Sequence, residues 1–337
     1  MALAEFKDTM LPAIEAELKN CIQSVSQTGE NDLFAMLAYH LGWEGEGAGP
    51  KARGKRIRPL LLLLTTASLG KDWEIALPGA AAVELVHNFS LIHDDIQDQS
   101  SLRRGRPTLW KLYGIPQAIN AGDSMFALAQ IALQNLDTSV PVEIALQAHQ
   151  IIPHACLTLT QGQYLDLAYE DKKDITTSDY WPMIRGKTAA LLATCTELGA
   201  ILANADKNTQ ENFRNFGEFI GLAFQIQDDI LGIWGDSALT GKSAESDLVT
   251  GKKSLPVLFA LEKSGEFAKR WKNQTIVPKE VPELAEILKT EGAYDYAKDW
   301  VDKLTNQALD WFEKTEVVGP AADALSELSN QLIQRVR

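Results

Sequence analysis

The chain contains 337 residues, 45% of them hydrophobic and 23% charged, which is typical of a globular protein and excludes a disordered one. Its formal net charge of -13 opposes broad association with nucleic acid or with an anionic membrane surface. The three cysteines are far apart and lack C-x-x-C spacing, so we expect neither a disulfide framework nor a zinc site. This cysteine usage favours a reducing compartment, the cytoplasm.

The N-terminal stretch "MALAEFKDTMLPAIEAELKN" carries Glu5, Lys7 and Asp8 where a secretory signal needs an unbroken apolar core. We therefore interpret it as part of the mature protein. The most hydrophobic run, "PLLLLLTTASLG" from Pro59, is shorter than the roughly 20 residues that a membrane-spanning helix needs. The sequence predicts no membrane span.

Along the chain, apolar residues recur with helical spacing, and no segment shows sustained period-2 alternation between turn signals. Two segments are apolar nearly all round, "KTAALLATCTELGAILA" from Lys187 and "FGEFIGLAFQIQDDILGIWGD" from Phe216, as in the centre of a bundle. In the second segment, Gly217 and Gly221 share a face and would let a neighbouring helix approach closely. No repeat or linker divides the chain, so the sequence predicts a single all-α domain over residues 1–337.

Three aspartates interrupt the apolar stretch "FSLIHDDIQD". Asp94 and Asp98 are four residues apart and share a helix face, and His87 lies further along the same side. Asp95 is turned about 100° away, so it is expected to be a supporting hydrogen-bond partner.

A second acidic pair, Asp228 and Asp229, lies in "FQIQDDILGIWGD", with Gln225 three residues before it. A lone acidic pair is usually a solvated helix end. Here the neighbours of both clusters are apolar, and unpaired carboxylates among them would be strongly penalised. These neighbours are Ile92, Ile96, Ile226, Ile230 and Leu231.

Two kinds of cation could meet these carboxylates: Arg and Lys side chains, or a bound metal. Carboxylate-only clusters suit hard divalent ions, and Mg²⁺ is usually held by a few carboxylates together with water and phosphate oxygens. Basic residues recur beside both acidic clusters, in "KARGKRIRP", at Arg103-Arg104 and at Lys252-Lys253. The combination predicts one or two diphosphates held between protein cations and Mg²⁺.

Two further signals receive no functional role. "GKS" at Gly241 to Ser243 resembles the end of a phosphate-binding loop, but Gly235 lies one residue too far upstream and a predicted helix precedes it. His93 lies in an apolar helix, where a histidine is more often a structural hydrogen-bonding residue than a metal ligand or a base.

In order and spacing, seven motifs resemble those of the trans-prenyl diphosphate synthases, which include the farnesyl and geranylgeranyl diphosphate synthases. They are "GKRIRP", "LVHNFSLIHDDIQD", "LRRGRPT", "QGQYLDL", "KTAALL", "FQIQDD" and "GKKSLPV", from Gly54 to about Val257. The resemblance implies an isoprenoid-synthase-like helical bundle around a deep central cavity, and a homodimer.

The resemblance also implies roles for individual residues. Isopentenyl diphosphate would bind to Lys55, Arg58, His87 and Arg104. The allylic diphosphate (dimethylallyl, geranyl or farnesyl) would be met by Arg103, Lys187, Thr188, Gln225, Lys242 and Lys252. Mg²⁺ ions bridging to the allylic diphosphate would bind to Asp94, Asp98 and Asp228.

In the chemistry that this family implies, the departing diphosphate leaves an allylic carbocation, which the isopentenyl double bond attacks before a proton is lost. Oxygens near Lys187, Thr188 and Gln225 would steady the cation. Phe89 and Ser90 precede Asp94 by about one turn, and Phe89 would form the floor for the growing chain. An aromatic residue there resembles short-chain synthases that stop at farnesyl or geranylgeranyl diphosphate.

One departure from the family pattern is Gly232, at the last position of a motif that is commonly D-D-x-x-D. Asp236, eight residues past Asp228, lies on roughly the same face. Two alternatives stay open: a class I terpene cyclase, which needs no second diphosphate site, and a non-catalytic partner subunit that has kept the fold.

Overall fold

The computed structural model describes residues 2–26, 31–170, 172, 174–235, 247–273 and 276–334. The helices of the N-terminal half are α1 (Ala2–Ser26), α2 (Asn31–His40), α3 (Pro50–Arg53), α4 (Ile57–Ser68), α5 (Leu77–Gln97), α6 (Leu109–Tyr113), α7 (Ile115–Gln134) and α8 (Val142–Glu170). Those that follow are α9 (Thr177–Ile184), α10 (Ala190–Leu202), α11 (Lys207–Trp234), α12 (Asp247–Thr250), α13 (Leu255–Lys263), α14 (Glu266–Asn273), α15 (Val281–Thr290), α16 (Ala293–Glu313) and α17 (Pro320–Ile333).

Other regular structure is sparse. Short 3₁₀ turns cover Trp73–Ala76, Asn135–Thr138 and Pro278–Glu280, and a π-helical turn covers Arg185–Ala189. Within the described residues, the one sheet is an antiparallel pair, β1 (Leu102–Arg103) and β2 (Arg106–Pro107). The predicted all-α fold class is confirmed.

The central helix of the N-terminal half is α5, which carries the first acidic motif. Pro78 stands in its first turn, where a missing N–H is tolerated, and its N-terminal two thirds are buried almost continuously. Among the described residues, one segment, Trp73–Gln97, is long and apolar enough to cross a bilayer. Because 72% of that apolar window is buried inside the protein, the segment is accounted for as a core helix.

The chain divides into two compact units. The first comprises Met1–Cys156, Thr194–Phe213 and Glu316–Leu328, and the second Leu157–Ala193, Arg214–Thr315 and Ser329–Arg337. Four of the five boundaries fall inside helices, in α8, α10, α11 and α17, so neither unit is a continuous stretch of sequence. The expectation of a single domain over the whole chain stays a prediction.

In the second unit, glycines bring three backbone segments close together. A Cβ at Gly162 of α8 would collide with the backbone nitrogen of Lys187, and a Cβ at Gly186 would stand 2.8 Å from Cα of Gly162. On α11, a Cβ at Gly221 would stand 2.6 Å from Cα of Ala189. The π-helical turn therefore packs backbone to backbone against α8 and α11, which confirms the close approach predicted at Gly221.

We expect Gly162→Ala to lower the free energy of unfolding by about 1–3 kcal/mol, because the added methyl group has no space beside Lys187. In an open helix the same change would stabilise by about 1 kcal/mol, so the sign of the effect is diagnostic. Urea unfolding measures it. Gln161→Ala, at an exposed neighbouring position, is the matched control, and a stabilised Gly162→Ala would contradict the packing.

Candidate active site

The basic motif of the first unit surrounds the start of α4, and its central arginine points inward. Arg56 is 3% exposed and has a left-handed φ of 48°. Its Nε donates to Oε1 of Glu15 at 2.7 Å and its Nη1 to Oε1 of Glu84 at 2.8 Å. Arg56 therefore anchors the segment, and it leaves Lys55 exposed and Arg58 half-buried on either side.

Arg58 meets His87 of α5. The distance from Arg58 Nη1 to His87 Nε2 is 3.1 Å, and because a guanidinium can only donate, Nε2 accepts and the ring proton belongs on Nδ1. Burial, followed by the charge of Arg58 and of Arg104, holds the pKa of His87 well below its ordinary value of 6.5. The predicted isopentenyl diphosphate residues Arg58 and His87 are thus in direct contact.

The two arginines of "LRRGRPT" have different partners. Arg104 donates from Nη1 to the carbonyl oxygen of Ala52 at 2.9 Å and lies on Gly54, where a Cβ would stand 2.8 Å from its Cζ. Burial lowers the pKa of Arg104 to about 10, so the group stays charged at neutral pH. Gly54, with a φ of 77°, thus brings Arg104 beside the start of α4.

Arg103 is the partner of Asp95. Its Nε donates to both carboxylate oxygens, at 2.8 and 2.9 Å, and Asp95 is 2% exposed. Burial raises the pKa of Asp95, and Arg103 opposes that rise. Asp95 therefore has the supporting role expected of it, whereas Asp94 is half-buried and Asp98 is exposed at the end of α5.

Phe89 lies in an aromatic cluster with His93 and Phe126, of which the sequence analysis had not singled out Phe126. Its ring centroid is 5.5 Å from that of Phe126 on α7 and 4.8 Å from that of His93. Ser90 donates its hydroxyl to the carbonyl oxygen of His87 at 2.8 Å. Gly122 lies directly under the imidazole of His93, where a Cβ would collide with Nε2. His93 thus packs on Phe89 and Gly122, and its Nε2 lies 3.4 Å from the carbonyl oxygen of Ile119.

In the second unit, the π-helical turn presents Lys187 and Thr188 to different neighbours. Lys187 Nζ lies 2.5 Å from Oδ2 of Asp166 on α8, and Thr188 donates to Oε1 of Gln225 on α11 at 2.6 Å. π-Helical turns inside α-helical regions are often found at functional sites. The turn brings three of the predicted residues, Lys187, Thr188 and Gln225, into one hydrogen-bonded region.

Asp229 is the centre of that region and is completely buried. It accepts hydrogen bonds from Tyr180 Oη at 2.6 Å, from Gln225 Nε2 and Lys252 Nζ at 3.1 Å, and from the backbone N–H of Leu255 at 3.2 Å. Burial and Asp229 raise the pKa of Tyr180 well above its ordinary value, so the phenol remains a donor. The neighbouring Asp228 is half-buried.

The carboxylates fit a magnesium ion by their donor chemistry. Asp94, Asp98 and Asp228 present hard oxygen donors at half-buried or exposed positions. Within the described part of the chain, no three Asp, Glu, His or Cys side chains could hold an ion by themselves. An ion at Asp94 and Asp98, or one at Asp228, would complete its coordination with water and substrate oxygens, as Mg²⁺ commonly does.

Two sequence assignments, Lys242 and Asp236, lie outside the described residues, as does the "GKS" stretch. Lys253 caps the end of α8 by donating to the carbonyl oxygens of Glu170 at 2.8 Å and Lys172 at 2.6 Å.

Four residues near the site received no role from the sequence: Glu84, Phe126, Asp166 and Tyr180. Asp166 falls inside the motif "QGQYLDL", one turn after Gly162, and that spacing is a signal for it. Tyr180 carried no such signal, because its partner Asp229 is 49 residues away in the sequence.

Comparison with known proteins decides the family. The polyprenyl synthetase family model matches residues 49–290. The chain is 38% identical to a (2E,6E)-farnesyl diphosphate synthase from Mycobacterium bovis, covering 89% of this chain and 85% of that one. The chain belongs to the polyprenyl synthetase family.

Two further family members agree. A geranylgeranyl diphosphate synthase from Mycobacterium tuberculosis is 39% identical, over 79% of this chain and 75% of that one. The crystal structure of a geranylgeranyl pyrophosphate synthetase from Pyrococcus horikoshii Ot3 superposes with a TM-score of 0.87 at 31% identity, over 99% of this chain and 98% of that one. Family membership confirms the predicted fold and the prediction of a transferase. It supports neither of the two alternatives, a class I terpene cyclase and a non-catalytic partner subunit.

Below pH 6.5, we expect stability to fall as the two histidines near the basic motif, His40 and His87, resist protonation. Burial lowers the pKa of both in the folded chain, so the unfolded chain binds more protons as pH drops and unfolding is favoured. The free energy of unfolding then falls by at most about 1.4 kcal/mol per pH unit for each histidine. Urea unfolding between pH 7.5 and 5.5 measures it, and an unchanged slope in the His40→Gln/His87→Gln variant would contradict the assignment.

Proposed function

We propose that this family member condenses isopentenyl diphosphate with an allylic diphosphate to give a C15–C20 product, with geranylgeranyl diphosphate favoured. The observation that carries the proposal is that the two aspartates of each acidic pair differ in burial and in pairing with a protein cation. Asp95 and Asp229 are buried and paired with Arg103 and Lys252, whereas their sequence neighbours remain at half-buried positions. Such neighbours can bind metal without leaving a buried charge unpaired.

Isopentenyl diphosphate binds to Lys55, Arg58, His87 and Arg104. The contact from Arg58 to His87 fixes the imidazole as an acceptor, and Arg104 is held beside the same segment by Gly54. Arginine gives forked contacts to phosphate oxygens and lysine a point charge, so this set suits a diphosphate.

The allylic diphosphate binds to Arg103, Lys187, Thr188, Gln225, Lys242 and Lys252. Asp94, Asp98 and Asp228 would hold Mg²⁺, which would supply positive charge for stabilising the departing diphosphate. Arg103 and Lys187 add positive charge, and both are themselves held by carboxylates, at Asp95 and Asp166. That arrangement orients the cations before the substrate arrives.

The reaction needs no protein nucleophile. The allylic C–O bond breaks and its electron pair leaves with the diphosphate, the isopentenyl double bond forms the new C–C bond, and the released diphosphate accepts the lost proton. Thr188 donates a hydrogen bond to Gln225 at 2.6 Å, and the oxygens of this pair would steady the allylic cation. The apolar helices that carry these residues exclude water, which would quench the cation.

The protein acts as a cytoplasmic homodimer. The helices α6 and α7 carry several exposed apolar side chains, at positions where most soluble monomers would carry polar side chains. They are Leu112, Tyr113, Ile115, Ile119 and Ile131, each at least 41% exposed. Size-exclusion chromatography with light scattering measures the assembly.

Radiolabelled isopentenyl diphosphate tests the activity directly. Incubated with Mg²⁺ and dimethylallyl, geranyl or farnesyl diphosphate, the purified chain is expected to incorporate label into C15–C20 diphosphates. A cyclic hydrocarbon formed from allylic diphosphate alone would indicate a terpene cyclase. No incorporation with any primer would indicate a non-catalytic subunit.

For product length, we expect Phe89→Ala to lengthen the product by at least one five-carbon unit, because it removes the ring one turn before Asp94 that packs on Phe126. Chromatography of the dephosphorylated products measures the change. Phe312→Ala, which removes an equal ring packed on Phe216 in the second unit, should leave the length unchanged. An unaltered product from Phe89→Ala would remove Phe89 from chain-length control.

A further inference from the structure

Gly232 stands where the third aspartate of a D-D-x-x-D motif would stand, but the place is not empty. A Cβ at Gly232 would collide with Oδ2 of Asp247, and it would lie 2.5 Å from Cγ and 2.9 Å from Oδ1 of the same carboxylate. The carboxylate of Asp247 therefore fills the space that a side chain at position 232 would enter.

This position puts Asp247 on the metal-binding face of α11. Residues four apart on a helix share a face, with Cβ atoms about 5–6 Å apart, so position 232 lies one turn from Asp228 on the same side. Asp247 begins the short helix α12, 15 residues further along the chain, and reaches this face from a different segment.

Lys252 ties Asp247 to the same group of carboxylates. Its Nζ lies 3.1 Å from Oδ1 of Asp229 and 3.5 Å from Oδ2 of Asp247. Although burial by itself would lower it, the pKa of Lys252 is raised well above its ordinary value by Asp229, Asp247 and Asp228. All three carboxylates thus act on one ammonium group.

We infer that Asp247 supplies the third carboxylate of the second acidic motif, in the place that Gly232 leaves open. Asp247 would accept a hydrogen bond from a water ligand of a metal held at Asp228, and glycine at 232 is required because it leaves room for this carboxylate. The inference rests on the proposed metal site at Asp228 and goes beyond it, since it transfers a motif position to a residue outside the motif. The carboxylate that is missing at Gly232 is then supplied by Asp247.

The test is Mn²⁺ binding in the presence of inorganic diphosphate, measured by electron paramagnetic resonance and without turnover. Asp247→Asn keeps the shape and removes the charge, and we expect it to weaken Mn²⁺ binding by about tenfold or more, as the loss of an outer hydrogen-bond partner does at other metal sites. Asp302→Asn, at an exposed position of α16, controls for the change in net charge and should have no effect.

A second set of variants moves the carboxylate from position 247 to position 232. Gly232→Asp alone should weaken Mn²⁺ binding, because the new side chain collides with Asp247. Gly232→Asp/Asp247→Ala restores one carboxylate on the same face and should bind Mn²⁺ at least fivefold more tightly than Asp247→Ala. A double variant no better than Asp247→Ala would overturn the inference.

Asp228→Asn separates this inference from the proposed function. If Asp228→Asn weakens Mn²⁺ binding and Asp247→Asn does not, the metal site stands and the role of Asp247 is wrong. If neither change alters Mn²⁺ binding, the proposed metal site itself fails. Circular dichroism of each variant verifies that the helical fold is retained.

Discussion

The structure depends on the neutralisation of buried carboxylates by protein cations. An ionised carboxylate without a partner in an apolar interior is penalised by several kcal/mol, and removing one member of a buried ion pair commonly costs about 3–5 kcal/mol. Asp95 meets this requirement through Arg103, and Asp229 through Lys252, Tyr180 and Gln225. Each pairing also fixes the helix turn that carries the neighbouring aspartate.

The same arrangement recurs with the charges reversed. Arg56 is buried between Glu15 and Glu84, and its sequence neighbours Lys55 and Arg58 reach half-buried or exposed positions. In each motif, one charged residue is paired inside the protein and its neighbour is presented outward. Clusters of like charge in the sequence are therefore mixed in function, and the buried member holds the geometry in which the outward member meets a ligand.

Helix geometry was enough to predict part of this division from the sequence. Asp94 and Asp98 share a face and Asp95 does not, so the supporting role of Asp95 followed from the angle between successive residues. For Asp229 the same reasoning was insufficient, because its partners Tyr180 and Lys252 come from distant segments. The inward turn of Arg56 depends on its left-handed backbone and on Glu15 and Glu84, and no local pattern signals either. The close approach at Gly221 was predicted from helix spacing, but the π-helical turn that packs against Gly162 and Gly221 was not, because it depends on contacts between distant segments.

The most direct measurement of which aspartates bind metal and which are paired with protein cations is anomalous diffraction from crystals grown with Mn²⁺ and inorganic diphosphate. We expect anomalous peaks within coordination distance of the carboxylates of Asp94 and Asp98 and of the carboxylate of Asp228. Asp95 and Asp229 should keep their contacts to Arg103 and Lys252, with no metal bound. A manganese ion coordinated by Asp95 or Asp229, with its protein cation displaced, would contradict the account.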